Sequence, residues 1–317
     1  MKFTTKNVVL VLLAITSLNV FSQEEDLLSL IGEDTKETPK TVYATFKTYR
    51  LGNSQTIETV KAKHLDFRIS HRFGNIYNTN DPNPINQSFQ TFLGFDAVSD
   101  IRFSFDYGLS DDITLGIGRS RMNKQIDGSI KWKLLKQTSD FKIPVSITFF
   151  GDIGYNHNPT ALLYSGINKN FKTNELHRFN YLSQLIIASK INRSISVQVL
   201  PTYFHRNFIV QRVNVNNGAE DVNGLFSLGV GARIKVTKRM SVIGDYFYNF
   251  SKFYQNNENA TMPLALGIEM ETGGHVFSMF FTNSTGLIEN NFLSYTGDSW
   301  SKGQIKFGFC ISRTFAL

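Results

Sequence analysis

The stretch Ile101-Arg-Phe-Ser-Phe-Asp-Tyr107 puts Ile101, Phe103, Phe105 and Tyr107 on one side of an extended chain and Arg102, Ser104 and Asp106 on the other. Successive strand residues point to opposite faces, so such a segment fits a boundary between an apolar medium and a polar one. The last segment repeats the pattern: Ile305, Phe307, Phe309 and Ile311 alternate with Lys306, Gly308, Cys310 and Ser312, and Phe315 continues the apolar face. Twelve segments of this kind lie near 64–73, 99–109, 112–121, 128–136, 142–155, 177–190, 194–206, 223–236, 240–250, 262–271, 275–283 and 303–315. Most have the length a tilted strand needs to cross a bilayer, about nine to eleven residues or more, whereas strands of soluble sheets run nearer five or six.

The connections carry separate information. Short turns fall at 109–112, 136–141, 191–194, 237–239 and 271–274, and longer loops at 74–98, 122–127, 156–176, 207–222, 251–261 and 284–302. Strict interleaving of short and long links is the asymmetry of outer-membrane barrels, and an even number of strands returns both termini to the side of the short turns. The expected fold is all-β: an antiparallel transmembrane β-barrel of about 12 strands in the cell outer membrane, with N- and C-termini periplasmic. Mean hydropathy is −0.17 and no apolar run beyond residue 22 approaches the ~20 residues of a membrane helix, which excludes a helical membrane protein.

Residues 1–22 have the layout of a cleaved N-terminal signal peptide, with Lys2 and Lys6 ahead of the apolar run Val8 to Ile15 and small or polar residues from Ser17 to Ser22. Losing Lys2 and Lys6 takes the formal charge from +7 to +5, without a Lys/Arg cluster, so nucleic acid is not an expected partner. Residues 23–41 read as an acidic periplasmic tail that is either disordered or, through the short apolar patch at Leu27, Leu28, Leu30 and Ile31, a short amphipathic helix that docks a periplasmic protein partner. The barrel is expected over 42–317, where Val42 to Tyr49 is β-like and 42–63 is either a plug or an extra strand. The single cysteine, Cys310, rules out an internal disulfide framework.

Alternation sorts the side chains. Leu65, Phe67, Ile69, Leu115, Ile117, Trp132, Phe226, Val230 and Leu266 are expected to face lipid. Arg68, Arg72, Arg102, Lys131, Lys133, Arg178, Arg233, Lys235 and Lys306 are expected to face the lumen, outnumbering Asp66, Asp106, Asp245 and Glu269. Such a basic ladder favours anionic solutes; alternatively the charges pair across a narrow lumen and fill it. Segments five to seven alternate poorly, around Leu182, Leu185, Ile186 and Ile187. Phe89, Phe92 and Phe95 are too apolar for a free outer loop and are expected to fold inward as a constriction.

Several stretches resemble one family. They include Ala44-Thr-Phe-Lys-Thr-Tyr-Arg50, His64-Leu-Asp-Phe-Arg-Ile-Ser-His-Arg-Phe-Gly74, Phe105-Asp-Tyr-Gly-Leu-Ser-Asp-Asp112, Gly116-Ile-Gly-Arg-Ser120, Glu271-Thr-Gly-Gly-His-Val-Phe277, Phe281-Thr-Asn-Ser-Thr-Gly-Leu-Ile-Glu289 and Phe307-Gly-Phe-Cys-Ile-Ser-Arg313. Together they resemble the Bacteroidota outer-membrane β-barrel family called domain of unknown function 5777, from about residue 40 to the C-terminus. The resemblance implies the same barrel and compartment, and no activity.

Chemistry-bearing patterns are sparse. His64, His71, His157, His177, His205 and His275 form no metal-ligand spacing, so no metal or cofactor is expected. A lipid hydrolase at the barrel rim needs a serine within reach of a histidine; Ser70 beside His71, and Ser278 three from His275, diverge on a strand. The expected function is therefore a narrow pore or transporter for small solutes, anionic ones among them. A closed interaction barrel acting through its tail and outer loops is the alternative, and a rim-located lipid hydrolase the third; no enzymatic activity is expected.

Overall fold

A computed structural model describes residues 40–167, 171–272 and 275–317; the expected signal peptide and residues 23–39 of the tail lie outside the described residues. A two-residue hairpin, β1 (Arg50–Leu51) and β2 (Ser54–Gln55), precedes twelve long strands. These are β3 (His64–Asn75), β4 (Val98–Ser110), β5 (Ile113–Ser120), β6 (Ile126–Leu135), β7 (Ser146–Tyr155), β8 (Phe179–Lys190), β9 (Ile195–Arg206), β10 (Gly224–Lys235), β11 (Met240–Asn249), β12 (Leu264–Thr272), β13 (His275–Thr282) and β14 (Lys306–Ala316). Among these twelve, consecutive strands pair antiparallel, and β14 pairs with β3 to close the barrel. Closure leaves no edge strand unpaired, which lipid demands of a spanning sheet.

All twelve segments read from alternation are strands. The clearest departure is β7, which begins at Ser146 rather than 142. Pro144 cannot donate to a ladder, and residues 136–145 form a longer turn instead. We call the end of the barrel that carries His64 and Ala316 the terminal end; the short turns share it, and the longer loops share the opposite, loop end.

The outer surface follows the expected alternation. Leu115, Ile117, Trp132, Phe226, Val230 and Leu266 are exposed on the outer wall, while Asp66, Arg68, Arg72, Arg102, Asp245 and Glu269 are buried inside. Tyr155 with Phe179, Tyr203 with Phe226, and Tyr248 with Phe250 form an outward aromatic band near the loop end, at centroid separations of 4.7–5.1 Å. Such bands mark membrane interfaces. The poor alternation of β7 to β9 has a structural cause: Phe150, Leu182, Ile186, Ala188, Leu200 and Phe204 point inward and are buried. The inward face of this sector therefore mixes these apolar side chains with polar ones such as Thr148, Gln184 and Gln198.

Candidate functional site

The lumen is occupied from both ends by the chain's own segments. Residues 40–63 enter at the terminal end, where Thr41 bridges Thr138, Val42 N–H donates to Gln137 O (2.8 Å) and Lys40 O accepts from Ser139 N–H (2.9 Å). Phe46, Leu51 and Ile57 then pack with Leu182, Ile186 and Leu200 in one buried apolar cluster. The inward apolar sector of the wall is thus the seat of this segment. Burying each such side chain contributes about 1.5–3 kcal/mol.

The segment turns back at the β1–β2 hairpin. Gly52 has φ +49°, and a Cβ there would lie 2.5 Å from Asp245 Oδ2, so glycine is required on both counts. Asp245 Oδ2 accepts the N–H groups of Asn53 (2.7 Å) and Ser54 (3.3 Å), a carboxylate capping a tight turn. Gln198 Nε2 donates to Gln55 O (2.8 Å), Thr148 Oγ1 to Ile57 O (3.2 Å), and Thr114 Oγ1 accepts from Val60 N–H (2.8 Å). The chain leaves the lumen where Lys63 N–H donates to Gly108 O (2.9 Å), again at the terminal end.

From the loop end, the connection 283–305 folds inward and carries the helix Glu289–Tyr295, of which all but the last residue are buried. Phe292 packs edge-on against Phe247 at 5.0 Å, and Asn290 Nδ2 donates to Asp152 and Asn180, both at 2.6 Å. The two segments meet. Arg50 donates to Glu289 (3.1 Å) and to Leu287 O (3.1 Å), and Glu289 also accepts from Gln55 N–H (3.1 Å). Between them remains a cavity of about 40 Å³ lined by residues such as Tyr49, Glu58, Arg68, Lys131 and Asp152. That is room for only a few waters.

The nine basic residues expected in the lumen can now be placed. Arg68 pairs with Asp66 (3.1 Å), Arg233 with Glu269 (2.8 Å) and Glu271 (3.3 Å), and Lys306 with Asp298. Arg102 grips Asp127 with two nitrogens, at 2.5 and 2.6 Å. Arg72, fully buried, donates to Ser284 O (3.0 Å), Gly286 O (2.5 Å) and Asn53 Oδ1 (2.9 Å), touching both inserted segments. Lys131 donates to Tyr49 O and Glu58 O, both at 3.2 Å, and Lys133 lies 4.0 Å from Glu58. Lys235 sits at the terminal end of β10 and is half-buried.

Arg178 is a correction. It belongs to the short helix Glu175–Arg178 at the loop end, where it holds Asn156 O (3.1 Å), Asn158 O (2.6 Å) and Glu175 (2.9 Å). The strand that follows starts one residue later, so alternation carried back across its end placed Arg178 wrongly. A second correction concerns Phe89, Phe92 and Phe95. None enters the lumen: Phe95 packs on Phe73 (4.8 Å) and Phe307 (5.6 Å) on the outer wall, and Phe89 and Phe92 are exposed. The constriction is made instead by residues 40–63 and 283–305.

Sequence reasoning missed Arg50, Asn53, Glu58 and Glu289, which hold the inserted segments, and the wall acids Asp100, Asp127 and Asp152. The acids were legible in part: Asp127 and Asp152 lie at inward positions of β6 and β7. Among the described residues no group of three His, Cys, Asp or Glu side chains is placed to hold a metal. Ser70 and His71 diverge, the serine donating inward to Cys310 Sγ (3.4 Å) and the ring stacking outward on Phe309 (5.5 Å).

A family model described as a membrane-bound β-barrel domain, DUF5777, matches residues 46–315. No curated protein matches the sequence. Among solved structures, the chain is similar to a NanC porin at 7% identity and TM-score 0.44, covering 80% of this chain and 100% of that one. A KdgM porin gives 7% identity and 0.44, with 80% and 99% covered. LpxR from Salmonella typhimurium gives 10% identity and 0.34, with 80% and 100% covered.

Proposed function

The chain belongs to the DUF5777 family of membrane-bound β-barrel domains, and from that premise we propose that it is an outer-membrane conduit for small polar solutes, kept shut by its N-terminal segment and the inserted loop 283–305. The observation that carries this reading is the mode of closure. Residues 40–63 fill the lumen as a separate, largely polar-bonded insert rather than as wall, and the wall is a complete barrel without them. A barrel of twelve strands lies between the packed interior of eight and the aqueous channel of sixteen, so a lumen cleared of both inserts has room for small solutes.

In this reading the terminal end faces the periplasm, as short turns do in outer-membrane barrels. Residues 23–41 run into the start of the insert, and a periplasmic protein that draws on them is the proposed source of opening. We assign no preference for anions. Arg68, Arg102, Arg233 and Lys306 are matched by Asp66, Asp127, Glu269 and Asp298, and the inward acids Asp100, Asp106, Asp152 and Asp245 offset the bases that remain.

Planar-bilayer recording tests the proposal. The full chain is expected to be silent, and a variant that lacks residues 23–60 and carries a short Gly-Ser link in place of 286–296 is expected to give stepwise conductance with weak selectivity between anions and cations. A deletion variant that migrates as a folded, heat-modifiable barrel yet stays silent would sink the conduit. The small cavity and the second insert from the loop end favour a permanently closed interaction barrel as the second reading, and that result would select it.

A further inference from the structure

The loop 76–97 lies outside the barrel, and we propose that its apolar tip inserts among the lipid acyl chains of the leaflet at the loop end, extending the barrel's lipid-facing surface. The tip begins in the helix Pro84–Gln90 and presents Ile85, Phe89, Phe92 and Leu93, exposed by 64, 76, 69 and 47%. Single exposed apolar residues are ordinary, but four adjacent large ones are not.

Continuity identifies the occupant. His71, Phe73, Phe307 and Phe309 are outward residues of β3 and β14, in ring contact with one another at 4.2–6.1 Å. Phe95 packs onto this patch, and Phe92 onto Phe95 at 5.9 Å. The aromatic surface therefore runs unbroken from the wall to the loop tip. From Ile85 to Phe95 the chain carries no charged side chain, so burial in hydrocarbon desolvates no ion.

The loop is also held in place. Phe92, Leu93 and Gly94 take φ of +47°, +55° and +82°, and Gly94 O accepts from Gly74 N–H at 3.0 Å. A Cβ on Gly94 would lie 2.6 Å from Gly74 O, so only glycine lets the loop turn back against the end of β3. Left-handed backbone at a phenylalanine and a leucine is uncommon, and here both side chains are left exposed.

The test uses nitroxide labels at Phe89→Cys, Ile117→Cys and Val215→Cys, each with Cys310→Ser in the full chain, in dioleoylphosphatidylcholine vesicles. Ile117 is an exposed wall position and Val215 an 84% exposed loop position, so they serve as lipid and water references. Label collisions with oxygen and with a water-soluble nickel chelate report the two media. Position 89 is expected to match 117, with an oxygen-to-nickel ratio several-fold above that of 215. A ratio equal to that of 215 would overturn the proposal. So would low access to both reagents with spin–spin broadening, which identifies a second copy of the chain as the cover. A label at Phe92→Cys repeats the measurement should the first variant fail to fold.

Discussion

Arg50 and Glu289 approach to 3.1 Å in the middle of the barrel, joining the segment that enters from one end to the loop that enters from the other. Glu289 is almost fully buried and also receives Gln55 N–H. Replacing it with alanine leaves Arg50 without its carboxylate, a loss of about 3–5 kcal/mol for a buried pair. Because the pair links both inserts, Glu289→Ala is expected to speed amide hydrogen exchange in 45–57 and in 287–295 together. Faster exchange in only one of them would show that the inserts are not coupled.

Asp245 serves the hairpin alone. Asp245→Asn removes the charge that binds two N–H groups, costing about 1.5–3 kcal/mol, and Gly52→Ala adds both backbone strain and a clash with the same carboxylate. Both variants are expected to raise protease cleavage within 44–60 while the barrel keeps its heat-modifiable migration. Loss of that migration would place these residues in the stability of the wall instead.

Arg102 and Asp127 belong to the wall. Arg102→Ala strands a buried carboxylate and is expected to lower barrel stability by about 3–5 kcal/mol in urea unfolding. The double variant Arg102→Met with Asp127→Asn, which leaves no charge behind, is expected to recover most of that loss.

Tyr254 sits in the loop-end connection between β11 and β12, and burial, aided by the nearby Asp221 charge, pushes its hydroxyl up to about 12. A raised acid favours the folded form while it stays protonated. Its contribution is therefore complete below pH 10 and declines as pH rises from about 10 to 12. Absorbance titration of phenolate should show late-titrating tyrosines, one fewer of them in Tyr254→Phe.

The wall was legible because each strand has one face in lipid and one in a polar interior, and Ile101 to Tyr107 records that division residue by residue. The inserts were not. Val42 to Tyr49 alternates as a strand does, but alternation reports extended backbone and leaves its location open. Leu182 and Ile186 blur the alternation of β8 because they seat Phe46 and Leu51, a contact between distant parts of the chain. Phe89 to Phe95 was placed inside for its apolarity, yet a barrel has apolar surroundings on its outside too. Glu289 lay in what reads as an outer loop; the neighbouring Phe292 and Leu293 are the signal that this loop turns inward.

The N-terminal insert has both of its ends at the same mouth, Lys40 beside Ser139 and Lys63 beside Gly108. Topologically it is a bight of cord pushed into a tube, and no free end has to travel the tube's length. It can be drawn out and returned without unthreading the chain or breaking a single ladder between strands.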